Sequence, residues 1–192
     1  MALAKSKWTA DASGFSLLEV LMATSIMVVA VASLAQLFVL STSRNASAKN
    51  TTFASVLAQQ KMEQLRALTW GFDTLGLPTT DTTTDTTIFP EAPGGSGLSP
   101  SPINTLQQNV VGFVDYVDGK GQSLGGAAAV PPITAAYIRR WMIEPLPTNP
   151  NNTIVIQVLV TRHRDRGEAD GGSVLRLPDE ARIISVKTRK AT

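Results

Sequence analysis

One long apolar pattern dominates the first third of the chain. The 24 residues from Val20 to Ser43 include no charged side chain, and about 20 such residues are enough to span a bilayer as a helix. A secretory signal peptide has a shorter apolar stretch, of roughly 7–15 residues. The pattern therefore predicts a transmembrane helix over 15–43, apolar on every side.

The helical pattern continues past this apolar stretch. No glycine or proline follows Gly14 until Gly71, so we predict one unbroken helix over 15–69. In its second half, 44–69, apolar residues recur at helical spacing, which is typical of an amphipathic helix that packs on its own domain. This stripe consists of Ala54, Leu57, Ala58, Met62, Leu65 and Leu68.

The segment 70–109 is rich in turn-forming residues. Threonine and aspartate dominate 78–87, and Pro, Gly and Ser dominate 90–102. Such compositions bury little apolar surface, so the segment is predicted to be one long loop. The run Gly94–Gly97 lacks the preceding strand and following helix that a phosphate-binding loop requires.

From 110 onward, short apolar runs alternate with turn signals, which predicts a β-domain over 110–192. The second predicted strand places Tyr137, Arg139, Trp141 and Ile143 on one face. The predicted fold class is α+β, with the long N-terminal helix packed on a C-terminal antiparallel β-sheet of about four strands. These strands are Val110–Val117, Ala136–Ile143, Thr153–Thr161 and Arg182–Thr188.

Candidate catalytic and metal-binding residues are sparse. The chain has no cysteine, and its single histidine, His163, lies between Arg162 and Arg164. Zinc sites need several His or Cys ligands, and the flanking guanidinium groups repel a cation. Without a nucleophile and a base in one arrangement, we predict that the protein is not an enzyme and uses no metal or cofactor.

The net charge is only +2, but basic residues gather toward the C-terminus, with ten Lys or Arg against six Asp or Glu from Pro131 onward. A solvated basic face is the favoured interpretation. Contact with nucleic-acid phosphates is the alternative. The candidate residues for that contact are Arg139, Arg140, Arg162, Arg164 and Arg166.

A single carboxylate marks the start of the apolar stretch. A polar leader, residues 1–14, ends at Gly14 and is followed by Phe15 and, four residues later, by Glu19. An ionisable residue at a membrane helix is by default a functional candidate. The run from Gly14 to Ala23, GFSLLEVLMA, closely resembles the class III signal of type IV prepilins and type II secretion pseudopilins.

This resemblance implies a set of processing and assembly steps. A prepilin peptidase would remove residues 1–14 by cutting between Gly14 and Phe15, and the new amino group of Phe15 would be N-methylated. Glu19 would then pair with that amine on a neighbouring subunit. The family also implies an α/β-roll fold, an inner-membrane assembly platform, and other pilins or pseudopilins as filament partners.

The resemblance also implies a location and a role. The stretches Val56–Leu65 and Tyr137–Trp141 are similar to PilV-type minor pilins, and GspI-type minor pseudopilins share these features. The expected protein is a single-pass protein of the bacterial inner membrane, with its C-terminal domain outside the cytoplasm, that later enters a pilus or pseudopilus. Its expected function is that of a structural minor pilin-like subunit supporting pilus biogenesis, adhesion, motility or DNA uptake. The alternatives are a minor pseudopilin supporting protein export and a filament-tip adhesin or DNA-binding receptor.

Overall fold

The computed structural model describes residues 14–126, 128–163 and 180–189, and within them it confirms the α+β class. Among these residues, one helix is followed by strands that belong to three antiparallel sheets. The helix α1 spans Leu17–Ala67. The strands are β1 (Trp70–Phe72), β2 (Pro78–Thr80), β3 (Thr84–Asp85), β4 (Ala92–Pro93), β5 (Val114–Val117), β6 (Ser123–Gly125), β7 (Tyr137–Pro145), β8 (Thr153–Arg162) and β9 (Ala181–Thr188).

The helix α1 begins and ends within two residues of the predicted bounds. Its N-terminus is capped by Ser16, whose hydroxyl accepts a hydrogen bond of 3.2 Å from the backbone N–H of Glu19. Hydroxyl groups in the first half are bonded to the helix's own backbone, as when Ser25 and Ser33 donate to carbonyls one turn earlier. The first half therefore satisfies these hydroxyls internally, as an apolar surrounding requires.

The chain divides into two compact units, residues 1–45 and residues 46–192, and α1 contributes to both. In the first unit, every described residue is exposed. In the second unit, the predicted apolar stripe of α1, from Ala54 to Leu68, is buried. The prediction of an amphipathic second half that packs on its own domain is confirmed.

The principal sheet has five strands in the order β6-β5-β7-β8-β9, all antiparallel. The four predicted strands are present, although the first is shorter than predicted because Gly112 has φ 88° and interrupts it. The additional strand β6 is short and lacks apolar alternation. It forms because Asp118 accepts hydrogen bonds from the N–H groups of Lys120 and Gln122, which closes a tight turn back onto β5.

The core lies between α1 and one face of this sheet. As predicted, alternate residues of β7 share that face, and Trp141 and Ile143 are fully buried in it. The regular alternation in β8 contributes four more buried side chains. These are Ile154, Ile156, Val158 and Val160.

The segment 70–109 contradicts the prediction of one loop with little buried surface. It holds two small hairpins, β1–β2 and β3–β4, and Leu98 is almost fully buried within it. Side-chain hydrogen bonds hold much of this segment in place. For example, Asp81 accepts bonds from the backbone N–H and the hydroxyl of Thr84. Gly95 is required by close packing, because an added Cβ would lie 2.2 Å from Cα of Asp85.

Candidate functional site: the start of α1 and a buried ion cluster

The predicted processing residues lie together at the start of α1. Gly14 and Phe15 precede the helix, and Phe15 is 83% exposed. Glu19 is exposed in the first turn, where a negative charge is favoured by the helix dipole. Residues 1–13 of the predicted leader lie outside the described residues.

The first half of α1 presents large apolar side chains to its surroundings. Leu21, Ile26 and Phe38 are more than half exposed, whereas soluble monomers rarely expose a continuous apolar surface of this extent. The helix is long and apolar enough to cross a bilayer, and none of its most apolar stretch is buried. The described residues thus define an α+β protein whose N-terminal helix is compatible with a membrane anchor.

A second candidate site is a cluster of three buried charges that joins the helix to the sheet. Asp115 on β5 is fully buried and accepts two bonds from Arg139 on β7, from Nε at 2.7 Å and from Nη2 at 2.8 Å. The same carboxylate is 2.7 Å from Nζ of Lys61 on α1, which is also fully buried. We call these three residues the ion cluster. It connects three elements that are far apart in the sequence.

The ammonium group of Lys61 has a complete set of acceptors. Besides Asp115, it donates to Oε1 of Gln64 at 2.6 Å and to the backbone carbonyl of Thr86 at 2.5 Å. Its Nζ also lies 4.5 Å from the centre of the Trp141 ring, a favourable position for a cation. All three of its N–H groups can therefore be satisfied although the group is out of contact with water.

Burial nevertheless disfavours the charged form of this lysine. It lowers the pKa of Lys61 from 10.5 to about 8, and the positive charge of Arg139 acts in the same direction, while Asp115 opposes the shift. The cluster holds two cations and one anion, and Asp115 is the only carboxylate that forms an ion pair with either cation among the described residues. Removing that anion is consequently the most damaging change to the cluster.

The ion cluster is not predicted from the sequence, although two of its three charged residues interrupt apolar patterns. Lys61 falls at helical spacing within the buried stripe, between Ala58 and Met62, and Asp115 stands inside the apolar strand β5. A charge at a core position predicts a buried partner. The partner's identity depends on the register of helix on sheet, which the sequence pattern does not provide.

The arginines considered for phosphate contact are not gathered into one site. Arg139 is buried and bonded to Asp115, which contradicts both the favoured interpretation of a solvated arginine and the alternative of phosphate contact at this position. Arg140 points to the opposite face, where burial lowers the pKa of its guanidinium, and Arg162 is exposed. Arg164 and Arg166 lie outside the described residues. Among the described residues, no group of three His, Asp or Glu side chains is placed to hold a metal ion.

No protein-family model matches the chain, and no curated protein or solved structure matches it at a significant level.

Proposed function

We propose that this chain is a structural minor pilin-like subunit of a type IV pilus. The observation that carries the proposal is Glu19, an exposed carboxylate in the first turn of α1. This helix starts shortly after the Gly14-Phe15 pair, and its first half is otherwise apolar on all sides. An acid in that position is costly in lipid unless it has a partner. The start of a neighbouring subunit would provide one.

In this proposal, a prepilin peptidase cuts after Gly14 and the new amine on Phe15 becomes that partner. A charge pair in a low-dielectric bundle of apolar helices is far stronger than in water, whereas an unpaired ion there is strongly disfavoured. Packing arrangements in which Glu19 has no amine as a partner would thus be disfavoured. This selects one stagger between adjacent helices in the filament.

The second unit is then the part that the filament displays. It would lie outside the cytoplasm while the first half of α1 sits in the inner membrane, and an assembly platform there would transfer the subunit into the filament. The described residues favour a structural role, because the most buried charges, those of the ion cluster, are engaged with one another and hold α1 against β5 and β7.

Replacing Glu19 by alanine tests the proposal. We expect Glu19→Ala to insert into the membrane and to lose its leader, since the cut site is unchanged. We expect its amount in purified filaments to fall at least about tenfold, because a buried amine left without its partner costs about 3–5 kcal/mol. Quantitative immunoblotting of membrane and filament fractions gives both numbers.

Glu63→Ala is the matched control, because Glu63 is an exposed glutamate on the same helix and its 3.5 Å pair with Arg66 is exposed. It should enter filaments like the wild type. Incorporation of Glu19→Ala at the wild-type level would contradict the proposal. Whether the wild-type chain enters surface pili or the short filament of a secretion system distinguishes a pilin from a pseudopilin.

A further inference from the structure

The sheet face that points away from α1 is only partly covered. Near β5 it carries a small buried cluster of Val114, Tyr116, Ala135 and Ile138. Across β7, β8 and β9 the described residues leave the face partly exposed, and Ile184 is 58% exposed. We call this region the open sheet face. Its apolar members are Met142, Val155, Leu159, Ile184 and Val186.

Two opposite charges flank the open sheet face on the same strand. Arg140 and Glu144 lie on β7, two residues before and two residues after Met142, so all three share one face. The guanidinium of Arg140 is largely buried, yet its hydrogen bonds go to neutral groups, Oδ1 of Asn109 at 2.9 Å and Oγ1 of Thr161 at 3.3 Å. In the part of the chain that the structure describes, neither Arg140 nor Glu144 forms an ion pair.

These two charges cannot satisfy each other within one chain. Four residues along a strand span about 13 Å, too far for an ion pair between their side chains. However, a second copy can bring Arg140 and Glu144 together if its sheet packs face to face on the first and its strands run in the opposite direction. With a two-fold axis at the level of Met142, Arg140 of each copy lies opposite Glu144 of the other.

We propose that the open sheet face is a self-association surface, which binds the same face of a second copy about this two-fold axis. Stacked sheets pack about 10 Å apart, and the exposed Glu144 of one copy would meet the part of Arg140 that remains exposed in the other. The apolar residues of both copies would meet around Gln157, and two equivalent charge pairs would flank them, as a closed two-fold contact requires. The exposed Arg182 lies on the edge strand β9 and donates a hydrogen bond to Gln157, which lies between Met142 and Ile184 at the level of the axis.

This inference does not depend on the proposed filament function, because it uses only the sheet of the second unit. The surface combines exposed apolar side chains on β9, Ile184 and Val186, and half-buried apolar side chains on β7 and β8 with polar groups, as protein interfaces do. The charge pattern selects the second copy among other occupants, since the same strand provides both members of each pair.

The absence of cysteine from the chain permits a direct test. The full chain is produced in membranes with a single substitution, Ile184→Cys, and treated with a short bis-maleimide. We expect a covalent dimer, because Ile184 lies at the same level of the sheet as Met142, close to the two-fold axis. Leu75→Cys is the matched control, since this residue is 82% exposed in the turn between β1 and β2 and lies off the face. It should yield little dimer.

Charge exchange then tests the pairing itself in the Ile184→Cys chain. Glu144→Arg places like charges opposite each other at two sites, so we expect the cross-linked fraction to fall at least about tenfold. Arg140→Glu should do the same, and the combined exchange should restore cross-linking. Val186→Asp, at an exposed apolar position, is a second way to weaken the contact if Arg140→Glu fails to fold.

Several results would overturn the proposal. Equal cross-linking at positions 184 and 75 would mean that α1, not the sheet face, brings copies together. A cross-link to a different protein would identify another occupant, and a cysteine at 184 that does not react with maleimide would mean that the chain covers its own face. Cross-linking that is unaffected by both Glu144→Arg and Val186→Asp would exclude the two-fold arrangement.

Discussion

Replacing Asp115 by asparagine should lower the free energy of unfolding of the second unit by about 3–5 kcal/mol. The substitution keeps the shape of the side chain but removes the only anion of the ion cluster. Lys61 and Arg139, both buried, then remain as two cations without their carboxylate. Urea unfolding of the full chain in detergent, followed by tryptophan fluorescence, measures the change, because Trp141 lies beside Lys61 in the core.

An exposed ion pair on the same helix serves as the comparison. Glu63 and Arg66 are 3.5 Å apart with most of their side chains in solvent, and such pairs contribute about 0–1 kcal/mol. Glu63→Gln should therefore leave unfolding nearly unchanged. If Asp115→Asn were as stable as Glu63→Gln, the Asp115 carboxylate would not compensate the buried charges of Lys61 and Arg139, contrary to the role assigned to it here.

The free energy of unfolding should rise between pH 8 and pH 10.5 by about 3 kcal/mol through Lys61 alone. The folded chain releases the proton of this lysine near its lowered pKa of about 8, while the unfolded chain keeps it up to the ordinary value of 10.5. The unfolded state binds more protons across this interval, so stability increases with pH. Unfolding curves at closely spaced pH values measure the slope.

Lys61→Met isolates this contribution, because the variant has no proton to release at position 61. Its stability should lack the rise that the wild type shows, whereas Lys120→Met, which changes an exposed lysine, should keep it. A wild-type curve that is parallel to that of Lys61→Met over this range would show that the buried lysine does not titrate there.

The parts of the fold that follow from local periodicity could be predicted from the sequence. The 3.6-residue recurrence from Ala54 to Leu68 gave the buried stripe of α1, and the two-residue alternation of β7 and β8 gave the core face of the sheet. Such patterns report which side of an element is buried. This side can be predicted without identifying the element against which it packs.

The features that depend on contacts between distant residues could not be predicted in this way. The ion cluster requires Lys61 to meet residues of β5 and β7, and this meeting depends on the register of helix on sheet. The hairpins of 70–109 are ordered by polar bonds such as those to Asp81, which leave no apolar pattern. At the start of α1, by contrast, Gly14, Phe15 and Glu19 lie within six consecutive residues, so the motif alone predicts a candidate site there.

The mass of the mature N-terminus tests the central claim most directly. Mass spectrometry of the chain isolated from its native cells is predicted to find a first residue of N-methylated phenylalanine, Phe15, with residues 1–14 removed. A chain that begins with the intact leader, or one cut well inside or beyond the apolar half of α1, would contradict the account.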